Sequence, residues 1–251
     1  ASDGSLVPIR GGARLSGKAN GFNLGALTIQ TERSGKTTAN NFSVLRLSRD
    51  LPSRSGLGAI FVDREGTGSL AKPNDWNRTY GMDARLGISE HMTVSGFAGR
   101  TQTPGVQSGR QYAYNVDSEY DNGKYRLYFE NGVTGEHFNP EAGFLSKTSG
   151  YRRISTGFYE TARQKWIRDL GFREFAPHIS YTRYDYLDGK GLQNAELHVD
   201  NHWDWENGYF ASAAFNTTWE GLNKPFEVYP KVVVPPGVYR SPRLYFRLNT
   251  D

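Results

Sequence analysis

Cysteine is absent from all 251 residues, which excludes a disulfide framework and any thiolate-ligated metal site. Long apolar runs are absent too. No stretch approaches the roughly 18 residues of a transmembrane helix, so spanning by helices is excluded. Spanning by strands is not, because a barrel carries its lipid face in every second residue and tolerates a mean hydropathy as low as -0.65. The charge excess is only +4. The Lys/Arg-rich stretch from Arg152 to Arg173 is interrupted by acidic residues, which argues against nucleic acid as a partner. Leu and Ile are sparse, whereas Gly is abundant at 29 copies and aromatics reach 14%, a balance that suits β-structure with many turns. Neither an initiator Met nor a signal peptide is present, and a strand-like run stands just before Asp251. The chain is expected to be a processed or partial piece of something longer.

What is there is alternation. Tyr112, Tyr114, Val116, Ser118 and Tyr120 alternate with polar neighbours, and after Asn122-Gly123 the pattern resumes with Tyr125, Leu127, Phe129 and Val133. Asn-Gly supplies the two positive-φ residues of a type I′ turn. That turn would pair Tyr120 with Tyr125, Val116 with Phe129 and Tyr112 with Val133. The other face would then set Asp121 against Lys124 and Glu119 against Arg126. Ala195, Leu197, Val199, Trp203 and Trp205 form a second such row, with Tyr209, Ala211, Ala213, Phe215 and Trp219 as partner. Here a two-residue turn would mix the faces. The pattern predicts instead a three-residue loop, Glu206 to Gly208, with a type I turn and a G1 bulge at left-handed Gly208.

Further strands are predicted over 12–18, 22–31, 42–50, 57–64, 79–88, 92–98, 151–163 and 175–186, with a last one over 243–248. Thr161 to Leu170 has room for a helical turn or two. Loops alternate short (88–92, 121–124, 205–209) with long (64–77, 100–110, 134–150, 186–193). The expected fold is all-β: a single domain over 1–251, an antiparallel up-and-down transmembrane β-barrel with about 12–13 strands in this piece and more in the intact barrel. Tyr120, Tyr125, Trp203, Trp205, Tyr209 and Trp219 gather at strand ends, as in the aromatic belts of membrane interfaces.

Four motifs resemble one family. They are Pro8-Ile-Arg-Gly-Gly-Ala-Arg-Leu-Ser-Gly-Lys18 with Asn41-Phe-Ser-Val-Leu-Arg-Leu47, then His137-Phe-Asn-Pro-Glu-Ala-Gly-Phe144 followed by Tyr151-Arg-Arg153. Pro225-Phe-Glu-Val-Tyr-Pro230 and Val234-Pro-Pro-Gly-Val-Tyr239 close the series. In this order they are similar to the bacterial outer-membrane β-barrel domain of unknown function that follows a family-9-type carbohydrate-binding module. The resemblance implies a barrel in the bacterial outer membrane, with the lipid bilayer as partner and no accepted catalytic residues. It also implies glycan contact through an upstream module that these residues do not contain. Strands beyond Asp251, or other chains, would be needed to complete the barrel, since only closure removes edge strands.

One constellation is rich in ligand atoms: Glu196, His198, Asp200 and His202, continued by Asp204 and Glu206 on the same strand face. Neighbours at i and i+2 sit about 6.5–7 Å apart, so at most two could share an ion without a second strand. The predicted partner strand offers Ser212 and Asn216, poor ligands. The row is therefore read as a polar lumen wall with binding capacity at Glu196, His198, Asp200 and His202, and neither a metal nor another cofactor is assigned. Glu136 and Glu141 flank His137, but a glycosidase needs two carboxyls facing across a cleft. Asn139-Pro140 and Gly143 read as a turn that re-enters or caps the barrel. Val232 to Gly237 is rigid and apolar, a plug, an edge cover or an ordinary loop. The expected role is an anchor or conduit for an extracytoplasmic carbohydrate-binding module. The alternatives are a glycan- or ester-hydrolysing enzyme and a soluble β-sandwich or lipocalin-like binder.

Overall fold

The computed structural model of the chain describes residues 6–143, 145, 147 and 150–250, so Phe144 of the third motif lies outside the described residues. The strands are β1 (Ile9–Ala19), β2 (Phe22–Thr31), β3 (Ala39–Leu51), β4 (Ser55–Thr67), β5 (Trp76–Gly87), β6 (Met92–Gln102), β7 (Tyr112–Asp121), β8 (Tyr125–Thr134) and β9 (Tyr151–Glu160). A five-residue helix, α1 (Lys165–Asp169), precedes β10 (Phe172–Phe175), β11 (His178–Tyr186), β12 (Leu192–Trp205), β13 (Phe210–Leu222), β14 (Phe226–Tyr229), β15 (Val232–Val234) and β16 (Gly237–Asn249). The protein is all-β and antiparallel. Its 14-stranded sheet runs in up-and-down order from β1 to β9, then β11, β12, β13 and β16, with β10 beside β12. The path ends at β1 and β16 and is not closed among the described residues.

One strand of the sequence reading, 175–186, is split into β10 and β11. Pro177 is the cause: it has no amide to give the ladder. Register survives the break, since Phe175 faces Trp203, the Ala176 amide donates to the His202 carbonyl and His178 faces Asp200. The Val232–Val234 segment forms with β14 a separate two-stranded hairpin whose Phe226, Tyr229 and Val233 are exposed.

The chain divides into two compact units. The first comprises Ala1–Gly87, Ser95–Asn115 and Val133–Gly150; the second comprises Ile88–Val94, Val116–Gly132 and Tyr151–Asp251. In the first unit one sheet face reads across the ladder as Leu15, Ala26, Leu45, Phe61, Tyr80, and in the next row as Gly17, Leu24, Leu47, Ala59, Met82. Most of these side chains are uncovered, Met82 being 70% and Leu45 52% exposed, with Ala26 and Phe61 half-buried. The rows end in Thr28, Ser43 and the Arg78–Asp63 ion pair, with the Arg78 guanidinium over the Trp76 ring. The expected polar character of the opposite face fails in the middle of β2–β4, where Leu27, Val44 and Val62 line up beside Ile29, Phe42 and Ile60. Continuous apolar runs in β3 and β4 put hydrophobic residues on both faces.

In the second unit one row reads Phe158, Ile179, Val199, Phe215, Leu244. The row behind it, Tyr159, His178, Asp200, Ala214, Tyr245, is polar and faces the other way. Apolar burial is slight throughout. Among the described residues the buried hydrophobics are Ala113, Val133, Ala162, Ile167, Ala195 and Ala214, and the other largest fully buried side chains are Asn77, Thr101, Thr217 and Ser155. A soluble sandwich of this length would bury its Leu, Phe and Tyr side chains instead.

Tyr112, Tyr114 and Val116 are exposed, as are Leu127 and Phe129. The turn between them departs from expectation. Gly123 has φ 80° but Asn122 does not have positive φ. Asn122 N–H donates to the Tyr125 carbonyl (3.2 Å) and Gly135 N–H to that of Tyr112 (2.8 Å), so Tyr112 faces Gly135 rather than Val133. The ladder is displaced by two residues because the Asn122 side-chain oxygen takes the amides of Lys124 and Tyr125 and moves the loop tip onward. Two is the side-chain period, so both faces keep their residues. Glu119 and Arg126 still meet, now diagonally, at 2.8 Å.

Candidate functional site

The tip of β12–β13 sets the register of the ligand-rich row. Gly208 has φ 88°, its N–H donates to Trp205 O, and Trp205 N–H donates to Tyr209 O (2.9 Å). A left-handed glycine closing a three-residue loop aligns Trp203 with Ala211 and Val199 with Phe215. His198 consequently faces Asn216 and His202 faces Ser212.

The decisive neighbour is the strand on the other side. β11 places His178 directly opposite Asp200 and Ser180 opposite His198. His178 Nε2 and His198 Nε2 lie 3.0 Å apart, and His198 Nε2 is 3.9 Å from Asp200 Oδ2. Among the described residues, His178, His198 and Asp200 form a group of possible metal ligands whose donor atoms all lie within 4.8 Å of one another. His202 stands beside them, its Nε2 3.0 Å from the same carboxylate oxygen. Glu196 belongs to the row but not to the cluster: it faces Thr182 and Thr218 and is exposed. Asp204 is engaged by Arg173 at 3.0 Å, and Glu206 lies in the turn.

Hydrogen bonds fix the imidazole tautomers. His178 Nδ1 sits 3.1 Å from the Ala176 carbonyl, which can only accept, so Nδ1 carries the proton. His198 Nδ1 donates to Asn216 Oδ1. The two Nε2 atoms, 3.0 Å apart, then meet either as facing lone pairs or across one shared proton. Tyr159 stacks on His178 with ring centroids 4.7 Å apart and holds its plane. The Asp200 side chain is only 9% exposed, and its Oδ1 is buried without a hydrogen-bond partner. Two closely approaching imidazole nitrogens and an unanswered carboxylate oxygen are groups that a cation or a proton would satisfy.

The loop carboxylates are arranged differently. Glu136 pairs with Arg110 at 2.9 Å, and Arg64 Nε donates to Glu141 at 2.8 Å while its Nη1 pairs with Asp75. His137 Nδ1 is 2.8 Å from Gly109 O. Both acids are held by arginines. The segment 139–143 folds back onto β5 and β6. Asn77 Nδ2 donates to Asn139 O (2.8 Å), Asn139 N–H donates to Thr101 Oγ1 (3.0 Å), and Gly143 N–H donates to Pro140 O (2.8 Å). In the basic stretch, Arg153 pairs with Glu130, Arg163 with Glu174, Lys165 with Asp169 and Arg173 with Asp204.

Comparisons with protein-family models, with curated proteins and with solved structures find no match to this chain.

Proposed function

We propose that this chain is the strand-built, membrane-embedded part of a bacterial outer-membrane β-barrel, in which the exposed apolar face meets lipid hydrocarbon. One observation carries the reading: the large apolar side chains of successive strands line up across the ladder and remain uncovered, while the sheet buries almost no large hydrophobic residue. An uncovered apolar surface of that extent is unfavourable in water. In a bilayer it is the solvated state, and the alternation of short turns and long loops suits barrel topology. Helix α1 fits the same frame, since its exposed Trp166 and neighbouring Leu170 lie among Arg163, Lys165 and Arg168 at a strand end. Additional strands or chains would pair with β1 and β16, because an open sheet edge is not tolerated in hydrocarbon. Service as anchor or conduit for a carbohydrate-binding module is the extension that the family resemblance suggests.

The absence of native cysteine makes the test clean. Single variants Val116→Cys, Leu127→Cys and Phe129→Cys are to be spin-labelled in lipid vesicles, with Asp117→Cys on the opposite face. The first three should relax strongly with oxygen and weakly with a water-soluble nickel chelate, and the fourth should do the reverse. Equal chelate access on both faces, or a chain that stays monodisperse without amphiphile, would remove lipid as the covering medium.

A further inference from the structure

We infer that His178, His198 and Asp200 form a binding site for a borderline divalent transition cation of the zinc class, with His202 positioning the carboxylate. The site lies on the polar row of β11 and β12, behind Ile179 and Val199, and it stands whether or not the apolar row meets lipid.

Three independent features converge. The first is ligand chemistry: two neutral imidazoles and one carboxylate are a set that suits Zn²⁺ and its neighbours and suits Mg²⁺ or Ca²⁺ poorly, since those take oxygen ligands. The second is geometry. Donors on a tetrahedral zinc at bond lengths of about 2.0–2.1 Å sit roughly 3.3–3.4 Å apart. The Nε2–Nε2 separation of 3.0 Å would open by a few tenths of an ångström, and the 3.9 Å from His198 Nε2 to Asp200 Oδ2 would close by about half an ångström. Side-chain rotation supplies both. The third is the state of the outer atoms. Each imidazole has its Nδ1 already committed, His178 to Ala176 O and His198 to Asn216 Oδ1, which is the outer-shell arrangement that orients a metal-binding ring. His202 Nε2–H does the same for Asp200 Oδ2, leaving Oδ1 buried and unpartnered. Three protein ligands leave at least one coordination position for water or an incoming group, and the partial exposure of His198 and His202 gives an entry path from the polar face.

The competing account is one shared proton, with His178 and His198 as a singly protonated pair beside Asp200. Zinc titration of the full chain, refolded in detergent and stripped with chelator, separates the two. One Zn²⁺ per chain is expected by calorimetry, undisturbed by excess Mg²⁺, with affinity falling at least about 100-fold in the double variant His178→Asn/His198→Asn. His137→Asn, a histidine that is not among the clustered ligands, should bind as the parent does. If the double variant fails to fold, X-ray absorption at the zinc edge of the parent decides: two imidazole nitrogens in the first shell support the site. Absence of stoichiometric zinc, undiminished affinity in the folded double variant, or an edge spectrum without imidazole would each overturn it.

Discussion

The polar side of the sheet is built in two different ways in the two units. In the first, the groups around the Asn139–Gly143 segment are answered: the Arg64 guanidinium lies between Asp75 and Glu141, and Asn77 donates to Thr103 and Asn139 while accepting from the Glu141 amide. Thr101, 1% exposed, closes the set by accepting from Asn139 N–H. In the second unit, Asp200 keeps a buried oxygen unpaired, and the Nε2 atoms of His178 and His198 lie 3.0 Å apart. Removing polar atoms from water costs free energy unless the protein restores their hydrogen bonds. A loop held by satisfied groups is therefore structural. Buried side-chain atoms without a partner also occur at Arg153 Nε and Asn201 Oδ1 in the second unit, but at Asp200 the unpartnered oxygen belongs to a carboxylate grouped with two imidazoles, where an arriving cation would answer it.

The contrast can be broken most forcefully at Arg64, whose side chain is 12% exposed. Arg64→Met strips the shared cation from two carboxylates, and the remaining like charges would repel. The expected loss is about 3 kcal/mol, the lower end for breaking a buried ion pair, because both acids retain some water. Urea unfolding in vesicles, followed by tryptophan fluorescence, measures it. A change below about 1 kcal/mol would make the network an ordinary surface ion pair and level the difference between the units. Asn77→Ala comes next. It leaves the Asn139 carbonyl and the Glu141 amide without their partner, for an expected loss of about 2 kcal/mol. Amide hydrogen exchange should quicken at 139–143, and unchanged protection there would show that the loop is held by other contacts.

Much of this was legible in the residues, and the exceptions have identifiable causes. Period-two alternation marked nearly every strand and assigned its faces, because a face is a local property of a strand. Register is not. Three of the four Asn-Gly pairs lie at hairpin tips and take three geometries, while Asn131-Gly132 lies inside β8. Asn20-Gly21 has φ 52° and 79° and joins Ala19 to Phe22 directly. Asn122-Gly123 has only the glycine positive, and Asn207-Gly208 closes a three-residue loop. The last was readable because a two-residue turn would have mixed apolar and polar faces. The second was not, since a displacement by two residues costs the pattern nothing. The cluster was half visible: the row on β12 was plain, but its third ligand, His178, comes from β11. Counting back from the bond between Tyr186 N–H and Gly191 O would set His178 against Val199, on the wrong face. A bulge corrects this, since Tyr184 faces Asn194 while Asp185 faces Leu192, leaving Gln193 as the extra residue. The apolar Ile179 and Tyr181, matched to Val199 and Leu197, carried the signal that such a bulge was required.

The smallest expected effect has the opposite sign, and it sharpens the contrast most. Asp200→Asn keeps an oxygen to accept from His202 Nε2 and replaces the stranded buried oxygen by an amide nitrogen able to donate to an imidazole lone pair. In metal-free protein this substitution should therefore stabilise the fold by about 1 kcal/mol, the cost of one unsatisfied buried acceptor. With saturating zinc the order should reverse, because the parent carboxylate then has a cation and a ligand that binds only the folded state adds to stability. Paired urea titrations with zinc and with chelator give both signs in one experiment. A metal-free loss comparable to that of Arg64→Met would mean that Asp200 is as fully answered as the acids of the first unit. The two polar faces would then differ in sequence and not in kind.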